Sequence, residues 1–113
     1  RTRQAPARAL IDAGAVVALA TDFNPGTSPT PNLPLVMTMG VSQLHMSVAE
    51  VMLATTVNGA AALGLAESTG QIAPGFSADV ALWDGEDVRE RPHGYGDARC
   101  VASWCCGEPV HAV

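Results

Sequence analysis

Apolar positions at the start of the chain change from a helical pattern to an uninterrupted run. Pro6 can occupy a first helical turn, and residues 7–13 are good helix formers that end at Gly14, which suits the left-handed position after a helix. The run 15–21 is too short for a helix and does not alternate, which is typical of a strand buried on both faces of a parallel sheet. We therefore expect a helix-to-strand step of an α/β unit over residues 6–21.

The next part of the chain predicts a loop and two capped helices. Residues 22–32 hold three prolines and one glycine, which break both helix and strand. Asn32 can cap the first helix. Ser47 and Glu50 match the S-x-x-E capping box of a second helix, which we expect to end at Gly64.

After these helices, short apolar segments are divided by Gly and Pro, a pattern that favours strands. Residues 80–83 and 100–106 predict two strands, and a turn at residues 107–108 can lead into a third at 109–113. The charged, Pro- and Gly-containing segment 85–98 predicts an exposed connection.

Composition narrows the class of protein. Apolar residues make up 48% of the 113 and charged residues only 15%, against roughly 25% charged in an average domain. The apolar content excludes disorder, and the lack of an apolar run near 20 residues argues against a membrane span. The chain has eleven acidic and six basic residues. This net negative charge argues against a surface that binds nucleic acid or an acidic membrane. We expect a small-molecule or protein partner. Because the apolar content is more than 113 residues can bury, we also expect the isolated chain to aggregate or dimerise.

The ends and the cysteines give two further expectations. The chain opens on Arg1 with no apolar signal region, so we expect it to begin within a longer protein. Three cysteines, two of them adjacent (Cys105 and Cys106), form neither an even disulfide framework nor a C-x-x-C metal pair. A reduced, cytosolic setting with chemically inert thiols is the simplest interpretation.

Asp22 is the strongest candidate for chemistry on local grounds. A carboxylate at the point where a buried strand opens into a loop lies where α/β sheets and barrels bind ligands. An ionised carboxylate there needs a metal ion or a hydrogen-bond donor as partner. The alternative is that Asp22 only forms an Asx-turn.

Three longer strings resemble one family. Residues 18–28 (A-L-A-T-D-F-N-P-G-T-S), 55–65 (ending A-L-G-L) and 70–84 (beginning G-Q-I-A-P-G) resemble imidazolonepropionase, a metal-dependent branch of the amidohydrolase superfamily. The first string is specific to that branch, and the other two are shared across the superfamily. Phe76 replaces a usual basic residue, and residues 99–113 match loosely.

The resemblance implies a fold and an activity. The fold class is α/β: residues 1–67 would be the C-terminal end of a (β/α)8 barrel, and residues 68–113 part of a small composite β-sandwich. The full enzyme would hydrolyse the cyclic amide of 4-imidazolone-5-propanoate to N-formimino-L-glutamate in the cytoplasm, with Zn²⁺ or Fe³⁺. It would be a homodimer that binds neither nucleic acid nor membrane.

The resemblance also assigns residues. Asp22 would contact the metal and act as the catalytic carboxylate, while Asn24, Gly26 and Thr27 would line the substrate pocket. These roles fit the chemistry, since opening a cyclic amide needs an activated water and a group that moves a proton to the departing nitrogen. Asn24 offers a donor and an acceptor, and Thr27 a hydroxyl. The alternative for Asn24 and Thr27 is turn-making.

The remaining metal ligands are not evident in this sequence. His45, His93 and His111 are its three histidines, and no two have metal-ligand spacing. One carboxylate cannot hold a catalytic metal, so the isolated chain should be inactive. Two other functions stay open: another cyclic amidohydrolase or heterocycle deaminase of the superfamily, and a non-catalytic α+β module that binds a partner through apolar surface.

Overall fold

A computed structural model describes residues 4–94 and 99–112 of the chain. Over these residues, four α-helices precede three strands, and a 3₁₀ helix lies between the first two strands. Over the described ranges, no helix has the length and apolar character needed to cross a membrane. The elements are α1 Ala7–Asp12, α2 Leu33–Ser42, α3 Val48–Thr55, α4 Val57–Ala62, β1 Val80–Trp83, the 3₁₀ helix Val88–His93, β2 Cys100–Cys105 and β3 Glu108–Ala112.

The helix ends follow the local sequence signals. Gly14 adopts a φ of 83° after α1, as predicted. The Asn32 side chain accepts from the Leu35 amide at 2.9 Å and caps α2. At α3, the Ser47 hydroxyl accepts from the Glu50 amide at 3.2 Å while the Glu50 carboxylate accepts from the Ser47 amide at 2.7 Å. The predicted capping box is therefore confirmed.

The single helix expected to run from residue 48 to Gly64 is divided at Thr56. Its backbone has φ −124° and ψ −90°, outside the helical region. The Thr55 hydroxyl donates to the Val51 carbonyl at 3.0 Å, and the Thr56 hydroxyl donates to the Met52 carbonyl at 2.7 Å. These hydroxyls compete for carbonyls that main-chain amides would otherwise use, and such bonds bend helices.

Residues 15–21 differ from the doubly buried strand that the sequence predicts. No strand is assigned to them, and Val16 is 74% exposed. Two hydrogen bonds fasten the segment to the helices: the Leu19 amide donates to the Ala54 carbonyl at 3.0 Å, and the Asn58 side chain donates to the Val17 carbonyl at 2.8 Å. A strand requires a neighbouring ladder, and the described residues offer this segment none.

The core lies where α1, α2 and α3 meet. Val51 and Ala54 are completely buried, and Gly40 of α2 lies so close that an added Cβ would come within 2.8 Å of Val51 Cγ2. Leu19 joins this contact, at 3.0 Å from the same position. The close crossing fixes the position of the C-terminal end of α2 against α3.

The three strands predicted in the C-terminal part form an antiparallel sheet in the order β1-β2-β3. Cys105 pairs with Glu108 across a two-residue turn. Part of the expected exposed connection is buried: Pro92 in the 3₁₀ helix is among the most completely buried residues, because that helix packs on α2. Residues 95–98 of that connection, and the final strand position Val113, lie outside the described residues.

Candidate functional site

The loop after residue 21 closes into a small turn. Asp22 has a φ of 50°, the left-handed region in which Asp and Asn are the most tolerated residues after glycine. The Asn24 amide donates to the Ser28 carbonyl at 3.0 Å, and the Ser28 hydroxyl donates to the Thr21 carbonyl at 2.6 Å. We call residues 22–28 the Asp22 turn, and it contains all four site residues predicted from the sequence.

The side chain of Asn24 organises this turn. Its Oδ1 accepts from the amides of Gly26 at 2.9 Å and Thr27 at 2.8 Å. Its Nδ2 donates to the Asp22 carbonyl at 2.6 Å and to Thr27 Oγ1 at 3.2 Å, and lies 3.4 Å from Asp22 Oδ2. Asn24 therefore has the turn-making role that the sequence left as an alternative, and it ties Asp22 to Thr27.

Gly26 needs its small size for this arrangement. A Cβ there would lie 3.3 Å from Asn24 Oδ1, tight enough to disturb the acceptor that holds the turn. Asp22, Gly26 and Thr27 are exposed. The turn thus presents one carboxylate, one hydroxyl and a stretch of bare backbone toward solvent.

Asp22 is chemically suited to be one ligand of a metal ion, but the described residues bring no second ligand group to it. Among residues 4–94 and 99–112, the cluster with metal-ligand spacing contains neither Asp22 nor a histidine. His45 is exposed between α2 and α3, His93 ends the 3₁₀ helix, and His111 lies in β3.

An apolar cleft lies elsewhere, between the helices and the sheet. It has a volume of about 550 Å³ and is lined by side chains that include Met37, Met52, Trp83 and Val88. No residue of the Asp22 turn lines it. The cleft therefore belongs to the packing of the two parts of the chain and not to the predicted site.

The cluster with metal-ligand spacing consists of Asp79, Cys105 and Cys106, and sequence reasoning missed it. The adjacent cysteines before Gly107 were the available signal. Asp79, however, comes 27 residues before Cys106, and only the sheet brings them together.

The family model described as "Amidohydrolase family" matches residues 2–111. The chain belongs to the amidohydrolase family.

Three curated relatives of this amidohydrolase chain are each named imidazolonepropionase. The chain is 54% identical over 85 residues to an imidazolonepropionase of Agrobacterium fabrum, and the match covers 75% of this chain and 20% of the relative. It is 48% identical over 92 residues to that of Bacillus velezensis (81% and 22% covered) and 39% over 109 residues to that of Solibacter usitatus (96% and 26% covered). The resemblance drawn from the motifs is confirmed, and the chain spans only about a fifth to a quarter of these relatives.

A solved structure gives the same fold family. The crystal structure of an amidohydrolase from Thermotoga maritima matches with a TM-score of 0.74, covering 95% of this chain and 26% of that one. The identity is 23%, so this likeness concerns the fold alone. The mixed helix and strand content of the chain is that of a part of an amidohydrolase.

Proposed function

We propose that this chain supplies part of the active site of an imidazolonepropionase, which hydrolyses 4-imidazolone-5-propanoate to N-formimino-L-glutamate in histidine degradation. The observation that carries the proposal is the Asp22 turn: the string most specific to that enzyme folds into one hydrogen-bonded unit around Asn24. Relatives 39–54% identical and bearing that name support the substrate.

In this proposal residues 1–67 are the end of a (β/α)8 barrel, and residues 68–113 are part of a composite β-sandwich. The exposed side of the apolar run 15–21 supports the barrel, because Val16 at 74% exposure presents surface that a neighbouring barrel strand would cover. A barrel would also place Asp22 at the C-terminal face, where such enzymes carry their sites.

Asp22 is the proposed catalytic carboxylate and one of the metal ligands. A bound Zn²⁺ or Fe³⁺ would supply Lewis acidity and lower the pKa of a nucleophilic water. Asp22, exposed and within 3.4 Å of the Asn24 amide, can take a proton and pass it to the ring nitrogen that departs when the cyclic amide opens.

Asn24, Gly26 and Thr27 are the proposed substrate-binding residues. Because Asn24 already bonds within the turn, its main part is to position Asp22 and the backbone. Thr27 offers its exposed hydroxyl to a polar edge of the substrate, and Gly26 lets the ring approach the backbone closely.

The proposed setting is cytoplasmic, and three free cysteines support a reducing compartment. The full enzyme is proposed to be a homodimer that acts on a small molecule.

Product analysis of the full-length enzyme tests the function. Incubation with 4-imidazolone-5-propanoate should yield N-formimino-L-glutamate with no ammonia released, because hydrolytic ring opening keeps both nitrogens. Release of ammonia, or turnover confined to a different cyclic amide, would contradict the proposed reaction and favour a deaminase or another cyclic amidohydrolase.

A further inference from the structure

Three side chains with soft and hard donor atoms converge at one end of the sheet. One carboxylate oxygen of Asp79 and the sulfur atoms of Cys105 and Cys106 all lie within 4.8 Å of one another, and all three residues are exposed. The Asp22 turn does not contribute to this group. We call it the dithiol cluster.

The hairpin between β2 and β3 creates the cluster. Cys106 and Gly107 have φ values of 53° and 84°, the pair of left-handed residues that a type I′ turn requires. Cys105 pairs with Glu108 across this turn. In an extended strand, neighbouring side chains point to opposite faces of the sheet. Cys106 is not extended, so its sulfur can lie on the same side as that of Cys105.

Long-range hydrogen bonds attach the hairpin to the segment before β1. The Gly107 amide donates to the Ala78 carbonyl at 3.1 Å, and the Cys106 amide donates to Asp79 Oδ1 at 2.8 Å. Thr69 Oγ1 donates to Asp79 Oδ2 at 2.9 Å. The carboxylate is therefore oriented from two sides before any ligand arrives, much as ligating carboxylates are oriented by outer partners in metal sites.

The donor atoms of the dithiol cluster suit a cation. A carboxylate oxygen and two thiol sulfurs act as anionic ligands when they bind a metal ion, because the positive charge of the ion favours their deprotonated forms.

We propose that Asp79, Cys105 and Cys106 form a binding site for a thiophilic divalent cation, with Zn²⁺ as its ligand. Two cysteine sulfurs and one carboxylate oxygen are donors that Zn²⁺ accepts in tetrahedral sites, and three protein ligands leave the fourth position open to water. The exposure of all three residues gives the ion a direct entry path. This site is separate from the hydrolytic function proposed for Asp22 and does not depend on it.

Cobalt titration of the reduced full chain tests the proposal, because Co²⁺ replaces Zn²⁺ and reports its ligands by absorption. One equivalent should produce a sulfur-to-cobalt charge-transfer band, and Zn²⁺ should then abolish it. The group of described residues that holds these sulfur atoms does not include Asp22, so the band tests the dithiol cluster and not the proposed hydrolytic site. Cobalt binding without the band, or no binding at all, would overturn the proposal.

Variants of single ligands sharpen the test. Cys105→Ser and Cys106→Ser should each weaken Zn²⁺ binding at least about tenfold, since even the loss of an outer partner costs that much in metal sites. Asp79→Asn should weaken it while keeping the band. Cys100→Ser is the matched control, because the Cys100 thiol donates to the Ala102 carbonyl within β2 and is not part of the dithiol cluster. Equal Zn²⁺ affinity in the Cys105 and Cys100 variants would also refute the site.

Discussion

The Asn24 side-chain amide lies 2.6 Å from the Asp22 carbonyl and 3.4 Å from the Asp22 carboxylate. The oxygen of the same side chain accepts hydrogen bonds from the backbone amides of Gly26 and Thr27. The position of the proposed catalytic carboxylate therefore depends on a neighbour two residues away.

Asn24→Ala should reduce turnover far more than stability. The amides of Gly26 and Thr27 lose their acceptor but are exposed to water, so we expect a stability loss of about 1 kcal/mol. Turnover should fall at least roughly tenfold, because small displacements of a catalytic group are costly. Steady-state kinetics and urea unfolding of the full-length enzyme measure both effects. Thr27→Ser, which keeps the hydroxyl group, is the control. A loss of stability without a loss of turnover would contradict the positioning role of Asn24.

The ion pair of Arg8 and Glu50 makes stability depend on pH. Glu50 accepts two bonds from the guanidinium, at 2.9 and 3.0 Å, and one from the Ser47 amide. The bonds from Arg8, followed by that from Ser47, lower the pKa of Glu50 from 4.5 to about 2. A pKa lowered by folding contributes stability above pH 4.5, and this is lost as the pH falls toward 2.

Glu50→Gln should accordingly unfold at a lower temperature than the parent chain at pH 6, and the difference should shrink between pH 4.5 and 2. Thermal unfolding followed by circular dichroism measures both. Glu67→Gln, at an exposed position after α4, is the control and should change little. A constant difference across this pH range would show that the ion pair does not titrate as described.

Substitution by alanine should have opposite effects at two helical glycines, Gly40 at the crossing of α2 and α3 and Gly59 in α4. Gly40→Ala places a Cβ 2.8 Å from Val51 Cγ2 and 3.0 Å from Leu19 Cδ1, and such overpacking costs about 1–3 kcal/mol. In Gly59→Ala the new Cβ meets the Ala54 carbonyl at 3.6 Å, an ordinary contact, and alanine in a helix gains roughly 0.5–1 kcal/mol. Urea unfolding midpoints should move in opposite directions, and a shift of both in one direction counts against the described packing.

Exposed apolar side chains predict self-association of the isolated chain. Val16, Leu63 and Ile72 are 74%, 76% and 92% exposed, and association between copies of the chain would remove such apolar side chains from water. Sedimentation velocity should reveal species larger than a monomer that increase with concentration. Val16→Glu should reduce them, and a clean monomer of the parent chain at all concentrations contradicts the expectation.

Local signals predicted much of the fold, and long-range contacts account for the rest. The caps at Asn32 and Ser47 and the turn at Gly107 depend on neighbours within a few residues, so the sequence shows them directly. The break at Thr56 comes from side-chain hydroxyls that compete with the helix, and the burial of Pro92 from packing on α2. Neither the break at Thr56 nor the burial of Pro92 produces a periodic pattern of apolar residues in the sequence.

The two candidate sites differ in the same respect: one is built from neighbours in sequence and the other from distant segments. Asp22, Asn24, Gly26 and Thr27 are adjacent in sequence, and the resemblance selected them together. The contact of Asp79 with Cys105 and Cys106 joins segments that only the sheet unites. Sequence spacing alone therefore offered no metal-ligand motif for that cluster.

The most direct test of the central claim is the turnover of 4-imidazolone-5-propanoate by the full-length enzyme with Asp22→Asn, which keeps the size of the side chain and removes its charge. We predict a loss of at least about 100-fold in kcat, the lower range for a general acid–base group, with an unfolding temperature like that of the parent and with full activity in the Glu67→Gln control. An Asp22→Asn enzyme that turns over this substrate at the parent rate would contradict the assignment.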